Sequence, residues 1–147
     1  MVTTALTRCV ARLLLAPVLV VALAVLVKGY VDVGDGFAAG IIAALGVLLQ
    51  YLAFGRAAVE RALPLRHAPR LAVGGLLIAI ATAVVPVVAG GSLLEHSPGA
   101  GVDVIKVGSV ELITAVVFDV GVFALVLGVA VTVLHLLTSE AVEGAWE

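Results

Sequence analysis

The sequence predicts an all-α integral membrane protein with four transmembrane helices and both termini on the cytoplasmic side. Three observations carry this. Of the 147 residues, 63% are hydrophobic and only 12% charged, against about 25% charged in an ordinary soluble domain. The charges that remain cut the chain into four long apolar stretches. Six of the eight basic residues fall on one side of those stretches and two on the other.

A mean hydropathy of +1.30 cannot be hidden inside a core this small, so a soluble globular domain is excluded. Disorder is excluded as well, because it requires low hydrophobicity and high net charge, and this chain carries a formal charge of −2. Eight scattered basic residues make no electropositive stripe, and no nucleic-acid partner is expected. Cys9 is the single cysteine and cannot form an internal disulfide. It stands beside the basic N-terminal segment, where it is expected to be a cytoplasmic thiol.

A helix needs roughly 20 residues to cross the hydrocarbon of a bilayer. The uncharged stretch between Arg12 and Lys28 is shorter than that. Both flanking side chains are long enough to snorkel, so the first span is placed at about 10–29. Asp35 and Arg56 enclose Gly36 to Gly55, giving a second span at 36–55. Arg70 and Glu95 enclose Leu71 to Leu94, giving a third at 71–94. The stretch between Glu111 and Glu140 is interrupted by Asp119 and His135 and gives a fourth at about 110–137. The stretches are continuously apolar rather than alternating, which excludes a transmembrane β-barrel. Residues 1–147 are expected to form a single four-helix membrane domain.

Arg8 and Arg12 precede the first span, and Arg56, Arg61, Arg66 and Arg70 lie between the second and third. The other two connections carry only Lys28 and Lys106. Basic residues in short connections stay cytoplasmic, which places the N-terminus, the central connection and the C-terminus inside. The acidic tail of Glu140, Glu143 and Glu147 counts little in that rule. A cleaved leader ending at Ala22-Leu23-Ala24 is the rival reading of the first span. It would leave an odd number of spans and divide the arginine-rich connection from the tail, so a resident span is expected.

Asp119 is the strongest single feature. With the fourth helix starting near Val110 it falls nine residues in, about 14 Å along the axis and close to mid-bilayer depth. A carboxylate there costs at least about 2.5 kcal/mol and is expected to face protein or water. A proton or cation relay and a buried carboxyl that fixes helix packing are both open readings. Glu111, eight residues earlier, would lie about 80° around the same helix, so Glu111 and Asp119 could line one side of an entry path, and Asp35, with Asp32 on the outer face, could concentrate cations. The blander reading puts Glu111 in the headgroup region near Lys106. His67, His96 and His135 each stand without a second ligand at metal-binding spacing, so no metal site and no cofactor are expected. Gln50, Tyr51 and Trp146 read as interfacial anchors.

Small residues recur at fourfold spacing: Gly36, Gly40 and Ala44 on the second span, Gly75, Ala79 and Ala83 on the third. Gly121 and Gly128 form a similar stripe on the fourth. Such stripes let helix backbones approach closely, and their number suggests partners in the membrane. Pro17 and Pro86 each remove a backbone donor and invite a kink. No activated serine, Cys-His pair or phosphate-cradling loop is present, and an enzyme is not expected.

Two stretches resemble those of a known family. Val33-Gly34-Asp35-Gly36-Phe37-Ala38-Ala39-Gly40 resembles the Pro-Gly-Gly-Gly-Phe-x-Gly-Gly string of the B subunit of multisubunit Mrp/Mnh-type sodium/proton antiporters. Thr114-Ala115-Val116-Val117-Phe118-Asp119-Val120-Gly121-Val122-Phe123 resembles its Thr-x-x-x-Phe-Asp-x-Gly-Val-aromatic string, the more specific of the two. Length and four-span layout agree over nearly the whole chain. This sequence departs at Val33, Asp35 and Ala39, where the family has Pro, Gly and Gly. The resemblance implies a non-enzymatic subunit in a bacterial or archaeal plasma membrane. Its partners would be the large pump-like A and D subunits and the small C subunit, and the complex would exchange Na+ for H+. Such a protein supports assembly and could share in the cation path. The alternatives are a scaffold subunit of a related ion-translocating complex, such as a membrane-bound hydrogenase, and a self-sufficient small channel.

Overall fold

The computed structural model describes residues 4–28, 35–62, 65–88, 105–107, 110–112 and 114–143. Five helices and two short strands follow in order: α1 (Ala5–Lys28), α2 (Asp35–Phe54), α3 (Arg56–Ala62), a 3-10 turn (Leu65–His67), α4 (Ala68–Val88), β1 (Ile105–Val107), β2 (Val110–Leu112) and α5 (Thr114–Glu143). Three of the helices are long and apolar enough to cross a membrane, at Ala5–Lys28, Asp35–Phe54 and Thr114–Thr138. Within α4 the segment Ala68–Val84 is a shorter apolar helix.

Each boundary has a local cause. α1 begins a turn before the expected position because Thr4 caps it: its Oγ1 accepts the Thr7 amide at 3.3 Å, satisfying one of the free donors of the first turn. α1 then runs on through Pro17, whose missing N–H leaves the Leu13 carbonyl without its helical donor. α2 stops at Gly55, where φ is +76°, a conformation that side chains with a Cβ resist. The Gly55 amide closes on the Tyr51 carbonyl at 2.9 Å, and the Gly55 carbonyl accepts from Val59 at 3.3 Å. That reversal turns the arginine-rich connection into the short helix α3 rather than an irregular loop.

The fold is built of helices as expected, with one short hairpin added, and the start of the last helix is corrected: α5 begins at Thr114, not near Val110. β1 and β2 pair antiparallel with Ile105 opposite Leu112, Lys106 opposite Glu111 and Val107 opposite Val110. Apolar and charged residues alternate along both strands, which is the pattern of a hairpin and not of a helix turn. At its other end α5 continues past 137 to Glu143, and α4 starts at Ala68, three residues earlier than expected. Residues 89–94 of the expected third span lie outside the described residues.

The helices pack as a row, α1 on α2, α2 on α5 and α5 on α4, with α1 barely reaching α5. α5 is therefore flanked on two sides, and its sequence explains how. Asp119, Phe123 and Val126 meet Gly36 and Gly40 of α2, while Gly121, Ala124 and Gly128 meet Ala72, Gly75 and Ala79 of α4. The first stripe is offset from the second by two positions, or roughly 200° around the helix, so the two face opposite ways. Rising numbers meet rising numbers across α2 and α5, which are parallel; across α4 and α5 they run in opposite directions. α1 is antiparallel to α2: Gly46 faces Val18, and the buried Gln50 donates from Nε2 to the Ala11 carbonyl at 2.8 Å.

Between α4 and α5 the helices meet backbone to backbone. A Cβ built on Gly128 would fall against the Ala72 amide and 2.8 Å from the Ala68 carbonyl oxygen. In lipid such contacts hold helices together by dispersion, since no apolar surface is removed from water. One apolar cluster, Val47, Tyr51, Val59, Ala68 and Val131, gathers where α2 ends and α4 begins. Outside the seams the surface is apolar: Leu13, Val20, Leu23, Leu77 and Val88 are all exposed.

Candidate functional site

The site is built around Asp119, which is only 2% exposed. Its place follows from α2. Asp35 opens that helix, where a carboxylate complements the free N–H groups of the first turn, and Lys28 at the end of α1 reaches its Oδ2 at 3.4 Å. The next residue, Gly36, has no Cβ. One built there would fall onto the Asp119 carbonyl oxygen and 2.9 Å from its Cα. One turn on, Gly40 lies against Val126 and the Phe123 carbonyl, at 2.9 and 3.1 Å from an added Cβ. Two glycines one turn apart thus let α2 lie on the backbone of α5 and cover Asp119.

This position differs from the mid-bilayer depth expected of Asp119. It lies five residues after Thr114, about 7.5 Å from the start of α5, and level with the second residue of α2. Asp119 therefore belongs near one end of the bundle. Glu111 is corrected as well. It sits on β2, not on the helix of Asp119, so the two share no helix face. In the register it is opposite Lys106, a position that favours opposite charges. Asp35 and Asp119 lie toward the same end of the fold, with Lys28, and Glu111 and Lys106 are on the hairpin that precedes α5 in the chain, while all six arginines belong to the other end of the helices.

The two stretches that carry the family resemblance pack on each other through Gly36 and Gly40 on one side and Asp119 and Phe123 on the other. Thr114 and Phe118 are half-buried on α5, and Gly121 turns away to face Ala79 and Gly75. Phe37 is 56% exposed and points out of the seam. Gly34 lies outside the described residues. Of the other small residues, Ala44 and Ala79 are buried and Ala83 is half-buried.

A second polar group escaped the sequence reading. His135, expected to stand alone, has its Nδ1 2.8 Å from Glu60 Oε1, off the line of a hydrogen bond, since that nitrogen has no hydrogen-bond partner. The same oxygen accepts from Arg56 Nε at 2.7 Å. The hydroxyl of Tyr51 is buried nearby without a partner. Tyr51 and Gln50 are both buried rather than placed as interfacial anchors. The Arg56–Glu60 spacing of four was a visible helical signal; the long separation of Glu60 and His135 in sequence leaves none. About a third of each side chain in this trio is exposed, so its coupling is expected at about 0.2–1 kcal/mol. A double-mutant cycle of Glu60→Gln and His135→Gln, read as melting of the detergent-solubilised protein, should return a value in that range; a value of zero would mean that the pair does not tie α3 to α5. Among the described residues no three His, Cys, Asp or Glu side chains gather as a metal site would require.

Long helices that are apolar on nearly every side, joined by backbone-close seams and closing over one carboxyl group, define a membrane protein. More narrowly, the chain belongs to the family described as the domain related to the MnhB subunit of Na+/H+ antiporter, which matches residues 6–132. It is 33% identical over 113 residues to the B subunit of the Na+/H+ antiporter of Bacillus subtilis, covering 77% of this chain and 78% of that one. The corresponding protein of Alkalihalophilus pseudofirmus is 32% identical over 113 residues, 76% of each chain. A probable A/B subunit of a K+/H+ antiporter from Rhizobium meliloti is 40% identical over 116 residues, which are 78% of this chain but only 11% of that much longer protein.

Proposed function

We propose that this chain is a non-catalytic membrane subunit of a multisubunit cation/proton antiporter, and that Asp119 takes part in the cation path at a subunit interface. One observation carries the reading: the two family stretches, far apart in sequence, pack on each other and enclose the one deeply buried carboxylate among the described residues. A buried ionisable group in a membrane segment marks an ion pathway more often than a scaffold. Four spans with cytoplasmic termini fit the helix order, with α4 as the third, and the arginine-rich end then faces the cytoplasm of a plasma membrane. Asp35, Glu111 and Asp119 would face the outer side, where carboxylates concentrate cations ahead of entry.

Larger partners are supported by the apolar faces left outside the seams. The Rhizobium meliloti protein carries both letters, A and B, in its name, and the region similar to this chain is 11% of it, which supports an A-type neighbour; D- and C-type subunits complete the proposed complex. Na+ is the proposed cation, in line with the names of the Bacillus subtilis and Alkalihalophilus pseudofirmus relatives. A second reading, a scaffold that only joins larger subunits, is favoured by the backbone contacts of Gly75 and Gly128, which pack α4 on α5.

Purification of the tagged chain from its own membranes in mild detergent, with mass spectrometry of what accompanies it, tests the proposal. Large many-span subunits without hydrogenase components are expected. Recovery of the chain alone as a homo-oligomer would overturn it and turn attention to conductance in liposomes.

A further inference from the structure

α1, α2 and α3 leave a cavity of about 240 Å³ between them at the arginine-rich end, walled by Arg12, Leu15, Gln50, Phe54, Ala58 and Val59. We propose that this cavity binds an anionic phospholipid, with the headgroup phosphate on Arg12 and the start of an acyl chain on Leu15, Ala58 and Val59. The inference rests on the membrane-subunit reading above, and its test separates the two.

Charge selects the class of ligand. The Arg12 guanidinium lies over the Phe54 ring, 5.4 Å from its centre, so the ring holds it at the cavity wall by cation–π attraction without neutralising it. The carboxylate on the adjoining helix α3, Glu60, is taken by Arg56 at 2.7 Å. Glu140 and Glu143 belong to the end of α5, a helix that α1 barely touches. Gln50 adds no charge, and its amide nitrogen is committed to Ala11. Arg12 thus faces the cavity as a cation with an open side, and a guanidinium is well suited to the fork of a phosphate.

Size and surroundings select a lipid within that class. Pockets that enclose a small molecule run from about 300 to 1,000 Å³. A cavity of 240 Å³ is too small to enclose a phospholipid, so one seated there continues along the protein surface. On α1 that surface is apolar, with Leu13 and Leu14 exposed beside Arg12. A molecule with an anionic head and a long apolar body meets both conditions. Basic pockets between membrane helices on the cytoplasmic side bind such headgroups in general.

The test uses the whole assembled complex, reconstituted in nanodiscs of mixed phosphatidylglycerol and phosphatidylcholine and then examined by native mass spectrometry for retained lipid. The wild type should keep phosphatidylglycerol in preference to phosphatidylcholine. Arg12→Gln should weaken that retention about fivefold, the worth of one arginine at a membrane surface, and Arg12→Lys should restore most of it. Ala58→Phe, which fills the cavity and leaves the charge, should also displace the lipid. Equal retention of the two lipids by the wild type, which needs no variant to assemble, would overturn the proposal. So would retention unchanged in both Arg12→Gln and Ala58→Phe, or a photo-cross-linker at position 58 that captures protein instead of lipid. Assembly of the complex on a native gel reports on the membrane-subunit reading separately from any of these.

Discussion

Gly75→Ala is expected to cost the chain much of its stability and the complex its assembly, while Gly74→Ala, one residue away, leaves both intact. A Cβ on Gly75 would fall against the Leu125 amide and the Gly121 carbonyl, and 2.9 Å from the Ala124 carbonyl carbon. All three are backbone atoms of α5, so no side chain can rotate out of the way and the two helices must move apart along their whole contact. Overpacking of this kind costs roughly 1–3 kcal/mol, and occasionally more. The backbone neighbours put Gly75 at the upper end. A Cβ on Gly74 meets nothing within 4 Å. There alanine adds only its better helix propensity, a gain of about 0.5–1 kcal/mol. The comparison holds composition, helix and depth constant to within one residue and varies only the facing surface. Melting in detergent and the amount of complex on a native gel read it, and equal behaviour of the two variants would sink the packing arrangement. The same reasoning orders the α2 seam. Gly36→Ala meets the backbone of Asp119 and should be severe, whereas Gly40→Ala meets the Val126 Cβ at 2.9 Å and the Phe123 carbonyl at 3.1 Å, a less close approach that no rotamer change relieves, and should be milder.

The helices were legible because lipid imposes one demand on every spanning segment, an uncharged stretch with its own backbone satisfied. Charge positions alone therefore placed α1, α2 and the start of α4 to within five residues; the expected far end of the third span lies outside the described residues. The start of α5 was misplaced for a physical reason. Ile105-Lys106-Val107 and Val110-Glu111-Leu112 alternate with a period of two, but they adjoin a long apolar run whose length drew the helix start back to Val110. Reading the alternation first would have begun the helix at Thr114 and moved Asp119 away from mid-bilayer depth. The small-residue stripes could be read as seams, but not which seam meets which. Gly36 and Gly75 follow the same fourfold pattern, and only the placing of Asp119 and Gly121 on opposite sides of α5 sends one to α2 and the other to α4. The resemblance marked Gly36, Gly40 and Asp119 as belonging to special stretches without implying that they touch. The contact of His135 with Glu60 was invisible for a different reason: it depends on Gly55 turning α3 back across the end of the bundle, and a single glycine beside an arginine run does not announce the direction of the turn.

Asp119→Asn should leave the complex assembled and lower its sodium/proton exchange by at least about tenfold, equivalent to ~1.4 kcal/mol on the limiting step. The substitution keeps the volume and planar shape of the side chain, and the α2–α5 seam rests on Gly36 and Gly40 meeting the backbone of α5, which asparagine does not alter. Assembly therefore tests packing and exchange tests charge, so the two roles of the residue come apart in one variant. A carboxylate that only fixed helix packing would leave exchange per assembled complex unchanged when replaced by an amide, whose oxygen still accepts a hydrogen bond. One that holds a cation or passes a proton cannot be replaced, because the amide offers neither the charge nor a titratable proton. Exchange is measured in everted membrane vesicles as the sodium-induced collapse of a preformed proton gradient, with the amount of complex fixed by a native gel. Full exchange by a fully assembled Asp119→Asn complex would remove the residue from the ion path and leave the scaffold reading. Asp35→Asn and Glu111→Gln provide the graded comparison. Asp35 is already paired with Lys28 at 3.4 Å and Glu111 stands opposite Lys106 on the hairpin, so in the proposed cation path each is expected to act only on the local concentration of cations, through a salt-screened field. Their loss should raise the sodium concentration needed for half-maximal exchange and leave the maximal rate nearly unchanged, the opposite of the effect at Asp119. If all three variants changed only the sodium requirement, the carboxylates would form one surface field, and the burial of Asp119 would have no separate part in transport.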